Sequence, residues 1–408
     1  MKSTRLLLAA PMIMITLASR AQTTDDLLKL LAGKGTITEK EADSIRKDYN
    51  ARQRRADQTA DSFPLRLGRS LDLSGYTQAV YQDFEHPGKY YDGFSIKRAR
   101  LDFQGHFASQ FDYRLLVDFV GSSGPSGTAP SGGALVSPSL IEANITYKPF
   151  HFLQIRAGQM IVAFSQENMT QDRNLDLIER SQVINALVGR KGDAAAGGLV
   201  DSIGNQNGRD IGIQAGGSLI RLKDAWLLDY TVQLLNGAGV NTPDNNPSKD
   251  IDARLVLHPL KFLSIGGSWY NGLDRFISSP SRDQKRIRWG AEMALNYSGI
   301  MLKGEYIRGR DGSAPADGHP DDHSLTTHEG WYGQLAYFLL PRRLQAVVRY
   351  DYYDPDKAKD GARSTYYDLG LNYFFNVWTK VQVYYSLRNG DSPSQNNNLF
   401  EAQLQLAF

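Results

Sequence analysis

Two arginines two positions apart, Arg98 and Arg100 in the stretch SIKRARLDFQG at 95–105, are the residues with the plainest chemistry in this sequence. On an extended strand they sit about 7 Å apart on one face. Asp102 and Gln104 share that face, while Ala99, Leu101 and Phe103 take the other. A guanidinium stays charged and presents a fork of donors that fits an oxyanion. The pair could therefore hold or pass anions. The same alternation puts Arg114, Arg254, Arg288, Lys303, Arg349 and Lys380 on polar faces, backed by Leu115, Leu255, Trp289, Leu302, Val348 and Val381. Asp102, Asp112, Asp118, Asp252, Glu292, Glu305, Asp351, Asp368 and Glu401 lie on the same faces. Two readings stay open: salt bridges that fill an interior, or a basic row that guides anions.

A second cluster, ADGHPDDHSLTTHEG at 316–330, gathers His319, His323 and His328 among aspartates. Imidazole and carboxylate suit divalent ions. Their spacing matches neither a helical nor a hairpin ligand set, so a solvated polar loop is expected, with no metal and no cofactor. No nucleophile motif is visible, and an enzyme is not expected. The basic cluster Arg52, Arg54 and Arg55 lies in a polar helical segment and does not suggest a nucleic-acid partner.

The elements that carry these charges read as strands. The stretch LFEAQLQLAF at 399–408 alternates strictly, with Phe400, Ala402, Leu404, Leu406 and Phe408 on one face and Glu401, Gln403 and Gln405 on the other. Sixteen such segments follow one another from 71–84 to 398–408. Their connections alternate in length: seven tight turns against eight long polar loops at 85–93, 121–137, 161–207, 237–248, 272–285, 310–327, 354–363 and 390–397. An even strand number, short turns on one side and long loops on the other are the pattern of an outer-membrane barrel. The expected fold is all-β, a 16-stranded antiparallel transmembrane β-barrel spanning 69–408. Its apolar face meets outer-membrane lipid. An arginine turned to lipid near the midplane would cost about 2–4 kcal/mol, so the basic residues above face the lumen.

The loop at 161–207 is far longer than ordinary connections, and such loops are usually functional. It carries Leu175, Leu177, Ile178, Val183, Ile184 and Leu187, which a solvated loop does not need. A segment at 161–190 folding back into the barrel would use them, and would bring Arg173, Glu179 and Arg180 to a constriction.

Composition sets the surroundings. Basic and acidic residues nearly balance at 46 and 44, and there is no cysteine. Lys2 and Arg5 precede the apolar run 6–18, and Ser19-Arg20-Ala21 fits a cleavage site, so residues 1–21 read as a signal peptide. Residues 22–68 read as a periplasmic helical extension and linker, with Thr38 and Glu41 forming a capping box.

Several stretches together resemble the phosphate-selective porin O and P family of bacterial outer-membrane channels: IKRARLDFQG, LQIRAGQMIVAFSQENMTQDRNLDLIERS, GRDIGIQ and the terminal LQLAF. The resemblance spans about 71–408. It implies a trimer whose pore is narrowed by the inward loop, with an arginine row at Arg98 and Arg100. Phe164, Ser165 and Glu167 match the family's F-S-x-E, and Glu179-Arg180-Ser181 its E-R-S. The family often begins the loop with K-x-P-F-S; here that window reads Ile161-Val162-Ala163-Phe164-Ser165. The expected function is passive diffusion of small hydrophilic solutes, leaning to anions such as phosphate. A general diffusion porin and a structural barrel are the alternatives.

Overall fold

The computed structural model describes residues 32–34, 38–45, 47, 65–66, 71–86, 92–107, 110–120, 138–188, 208–222, 225–275, 283–312, 325–392 and 395–408. The signal segment expected at 1–21 lies outside them. The chain divides into two units, Met1–Phe63 and Pro64–Phe408. In the first, residues 39–45 form a helix (α1). The capping box forms as expected: Glu41 N–H donates to Thr38 Oγ1 at 3.3 Å, and Thr38 N–H donates to Glu41 Oε2 at 2.8 Å. Those bonds hold the Glu41 carboxyl below its ordinary range.

The second unit is a closed antiparallel barrel. Its sixteen strands are β1 (Asp72–Phe84), β2 (Gly93–Phe107), β3 (Phe111–Asp118), β4 (Ser139–Phe150), β5 (Leu153–Ile161), β6 (Arg209–Leu222), β7 (Ala225–Leu235) and β8 (Asp250–Leu260), followed by β9 (Leu263–Arg275), β10 (Asp283–Tyr297), β11 (Ile300–Gly312), β12 (Leu325–Leu340), β13 (Leu344–Asp354), β14 (Ser364–Phe374), β15 (Lys380–Gly390) and β16 (Leu399–Ala407). Each pairs with the next, and β16 pairs with β1 from Leu399↔Phe84 to Ala407↔Tyr76. Closure satisfies every ladder, which a wall standing in lipid requires. All sixteen segments expected from alternation are strands. A two-residue bridge, Leu65–Arg66, adds to β1.

Alternation sorts the two faces. Leu255, Trp289, Val348, Leu369 and Leu404 are exposed on the outer wall. Gln78, Gln334, Gln345, Gln382, Gln403 and Gln405 are buried on the inner one. Rings cluster along the outside, as in the Trp331–Tyr350 stack at 4.7 Å and the Phe150–Phe152 stack at 5.0 Å. Such rings suit the interface between hydrocarbon and headgroup.

One departure from regular pairing matters for the lumen. The β1–β2 register slips between Gln78↔Arg98 and Ala79↔Ile96, leaving Lys97 as an extra residue. A bulge of this kind re-aims a side chain. Lys97 therefore turns inward beside Arg98, although strict alternation puts it outside.

The seam between β16 and β1 is tight. Gly75 and Phe408 exchange two backbone hydrogen bonds, at 2.9 and 3.0 Å. A Cβ at Gly75 would stand 2.8 Å from the Arg100 carbonyl and 2.6 Å from the Phe408 ring. Gly75→Val should therefore destabilise the barrel by about 1–3 kcal/mol through overpacking. Heating the detergent-solubilised protein and following the shift between folded and unfolded gel mobility tests this. An unaltered transition temperature would contradict it.

Candidate functional site: the inserted loop and the lumen wall

β5 ends early, at Ile161, and the chain leaves the wall for the lumen. Past Ala143↔Gln159 the strands β4 and β5 no longer pair. Gln159 closes the gap by donating to the carbonyls of Leu140 and Ile141 at 2.7 and 3.0 Å, and Asn241 N–H donates to Gln159 Oε1 at 2.7 Å. The start of the loop is fixed by one amide. Gln233 Nε2 donates to the Ile161 carbonyl at 2.9 Å, and Gln233 Oε1 accepts from Ala163 N–H at 2.8 Å. A proline at 163 would have no such hydrogen to give. Ile161 itself is buried.

The loop then crosses to the far wall. Phe164 is fully buried, and a Cβ at Gly290 of β10 would stand 3.4 Å from its ring. Ser165, at φ 73°, accepts from Asn168 N–H at 3.2 Å and so caps the short helix α2 (Gln166–Met169). Glu167 receives Ser181 N–H at 2.9 Å, and its own N–H donates to Glu305 of β11 at 2.8 Å. Arg180 donates to the carbonyls of Glu167 and Thr170, the latter at 2.7 Å, and to Asp172 at 2.8 Å. The F-S-x-E and E-R-S stretches thus lock onto each other.

Beyond Arg180, helix α3 (Gln182–Leu187) lays Val183, Ile184 and Leu187 against Leu235, Tyr270, Ile307 and Tyr332 of the inner wall. Leu177 and Ile178 pack against Val80, Ala336, Val347 and Tyr384. Five of the six apolar residues that marked this loop pack against the wall, and the sixth, Leu175, is buried. On the far side of the Leu177 and Ile178 patch from α3 runs a belt of amides. Gln403 donates to Gln382 at 2.9 Å, Gln382 to Asn372 at 3.0 Å, and Asn372 to Gln345 at 2.8 Å. The belt ends at Asp176 of the loop, which Gln334 and Lys303 also reach, at 2.9 and 2.6 Å. Around this contact the loop and wall leave a small open recess, lined in part by Gln166, Thr170, Asp176 and Lys303.

The basic residues read from the sequence fall into two groups. Arg100 pairs with Asp118 of β3 at 2.7 Å and with Asp172 of the loop, and its side chain is 3% exposed. Arg98 reaches Gln78 at 2.9 Å and Asp172 at 3.5 Å. Arg349 spans Asp368 at 2.7 Å, the Glu179 carbonyl at 3.0 Å and Glu167 at 3.5 Å. Arg288 pairs with Asp311 and donates to the Leu187 carbonyl at 3.3 Å. Lys380 donates to the Leu175 carbonyl at 2.7 Å, and Arg173 stacks over Trp378 at 5.3 Å. All of these, with Lys303 and Arg180, are spent on the loop or on its contact with the wall. Glu179 takes its ion pair from the re-aimed Lys97.

The second group lies where the loop does not reach. Arg114 holds Asp102 and Glu142, each at 2.9 Å, with its side chain 21% exposed. Arg254 chelates Glu292. Alternation alone did not single out three further members of this wall: Arg156, Arg209 and Glu142. Arg209 pairs with Glu142 at 3.0 Å. Arg156 and Glu142 sit in stretches that alternate cleanly, so the polar face could have found them; Arg209 shares the parity of the outward Ile213 and could not be found that way. His328 also needs correction. It belongs to β12 rather than a loop, and its imidazole lies 3.4 Å from Asp311 and against the Pro355 carbonyl. His319 and His323 lie outside the described residues.

Removing Arg180 tests whether the loop is one locked body. Arg180→Met leaves two buried carbonyls without a donor, and breaking one side of a buried pair costs about 3–5 kcal/mol. The loss should fall on the loop and spare the barrel. Single-channel records should become larger and noisier at unchanged thermal stability; quiet records at the original conductance would argue against it.

Comparisons with known proteins agree with this architecture. The family model for phosphate-selective porin O and P matches residues 72–263 and 274–408. No curated protein matches the chain. Among solved structures, the anion-selective porin from Comamonas acidovorans superposes with a TM-score of 0.59 at 12% identity, covering 83% of this chain and 99% of that one. OmpF of Salmonella typhi, in complex with daunomycin, gives 0.59 at 11% identity over 84% and 98%. The trimer form of Vibrio cholerae OmpT gives 0.52 at 11% identity over 83% and 99%. At such identities these structures speak for the fold. The family model, matching most of the chain, speaks for descent: the chain belongs to the phosphate-selective porin O and P family and is a porin of the bacterial outer membrane.

Proposed function

We propose that this porin passes small hydrophilic solutes by passive diffusion with a preference for anions, inorganic phosphate among them, that it works as a homotrimer, and that it is a channel and not an enzyme. One observation carries the reading: the lumen is filled from one side only. The loop starts on Gln233 and Leu235 of β7 and is otherwise bound to β1, β2 and β9–β16. The wall from β3 to β8 keeps partly exposed polar side chains, including Lys148 at 37% and His258 at 34%. A solute crossing the barrel meets that wall. Rings or rows of arginine are the usual device for anion pores, and Arg114, Arg156, Arg209 and Arg254 lie along it.

The Comamonas protein is described as anion-selective, and the OmpT structure as a trimer form; both support the reading. Buried Ile161 at the position where the family often has lysine favours a general anion preference over a dedicated phosphate site. A general porin without preference is the second reading, favoured by the near balance of 46 basic and 44 acidic residues.

The test is the reversal potential of the purified protein in a planar bilayer across a potassium chloride gradient, repeated with phosphate added. An anion-selective current that phosphate reduces is the expected result. A weakly selective current indifferent to phosphate would overturn the anion reading in favour of the general porin. Absence of current would leave a structural barrel.

A further inference from the structure

The outer wall carries charge as well as rings. Arg308 and Arg310 of β11 are both exposed. In the β10–β11 ladder they stand opposite Trp289 and Ile287, and Trp289 is exposed on the outer face. Residues opposite one another share a face, so both arginines project away from the lumen. Lys285 of β10 is exposed on that same face, diagonally across from Arg310. Neighbouring members of this trio are about 7–8 Å apart along the backbone.

Their height on the wall is set by the strand. Ile300 begins β11 beside the tight turn to β10, and from there to Arg310 the strand climbs about 34 Å. At the usual tilt this is about 25 Å along the membrane normal, the full height of the apolar band. Trp289 and Tyr306, 5.2 Å apart, form the aromatic belt just below. The trio therefore stands at headgroup level, on the side of the long loops, which is the external side. The local charge is unbalanced. Glu329 of β12 stands opposite Arg308, but it already receives Lys357 at 2.7 Å and the Tyr306 hydroxyl at 3.2 Å. Lys357 also reaches Asp354 at 3.5 Å, and Asp283 stands opposite Arg275 of β9. Among the described residues, neither Lys285 nor Arg310 is held in an ion pair.

We propose that Lys285, Arg308 and Arg310 form a binding site for a lipid-borne phosphate: the headgroup of a phosphorylated glycolipid in the outer leaflet, docked against the outside of β10–β12. Each guanidinium offers a bidentate fork to phosphate oxygens, and the lysine adds a point charge. The ring belt beneath suits the boundary between headgroup and acyl chain. A free anion crossing the pore does not meet these side chains, because they lie on the other face of the wall. The inference rests on the outer-membrane location and is independent of the pore's ion preference.

The experiment measures retention of bisphosphorylated lipid A by the detergent-solubilised, delipidated protein, counted by native mass spectrometry across a titration. Wild type should bind it and should bind fully dephosphorylated lipid A at least tenfold more weakly. Arg308→Gln/Arg310→Gln should lose roughly thirtyfold in affinity for the phosphorylated form, while Arg308→Lys/Arg310→Lys should keep much of it because the charge remains. Folded gel mobility checks assembly; if the glutamine variant does not assemble, the comparison of the two lipids on wild type decides. Equal binding of both lipids, or wild-type affinity in the assembled glutamine variant, would overturn the site. Displacement of the lipid by millimolar inorganic phosphate would also overturn it, in favour of a site for free anions.

Discussion

One guanidinium organises the interior of this barrel. Arg180 ties together the carbonyls of Glu167 and Thr170 and the carboxylate of Asp172, three points spread along the inserted loop. Asp172 passes the connection to Arg100, and Arg100 to Asp118 in the wall. A sixteen-stranded barrel is too wide for its own side chains to fill. Something must occupy the excess, and a loop can do so only if its many backbone groups find partners away from bulk water. Here they find them in charged side chains projecting from the wall. The shape of the passage follows from that attachment.

The inner wall is accordingly not uniform. It offers an apolar patch to α3, a second one to Leu177 and Ile178, and beyond that one amides that meet Asp176. Each patch matches the chemistry of the loop segment above it. A slip of the loop by one residue would put leucine on glutamine and aspartate on valine. The register of the insertion is set in the same way as the register of a strand, by agreement between two patterned surfaces.

Much of this was legible beforehand. Strand number, connection lengths and the inward turn of the loop follow from alternation and from misplaced apolar residues, both of which are local. What escaped was non-local. Lys97 reads as an outward residue because only pairing with β1 reveals the bulge. Ile307 and Leu235 look like errors in a polar face until α3 is seen against them. Arg98 and Arg100 have the right type and spacing for anions, but spacing along one strand does not disclose that Asp118 and Asp172 arrive from elsewhere.

The seam joining β16 to β1 pairs Leu399 with Phe84 and Ala407 with Tyr76. These are the most distant segments of the barrel in sequence. No edge of the sheet can be sealed while the chain is still emerging, and folding is slow when it depends on such remote contacts. The half-made wall presents an open edge and an apolar face to water for as long as synthesis and export take. A protein of this design needs an escort that keeps it unfolded in transit, and a place of delivery that supplies lipid and the final pairing together.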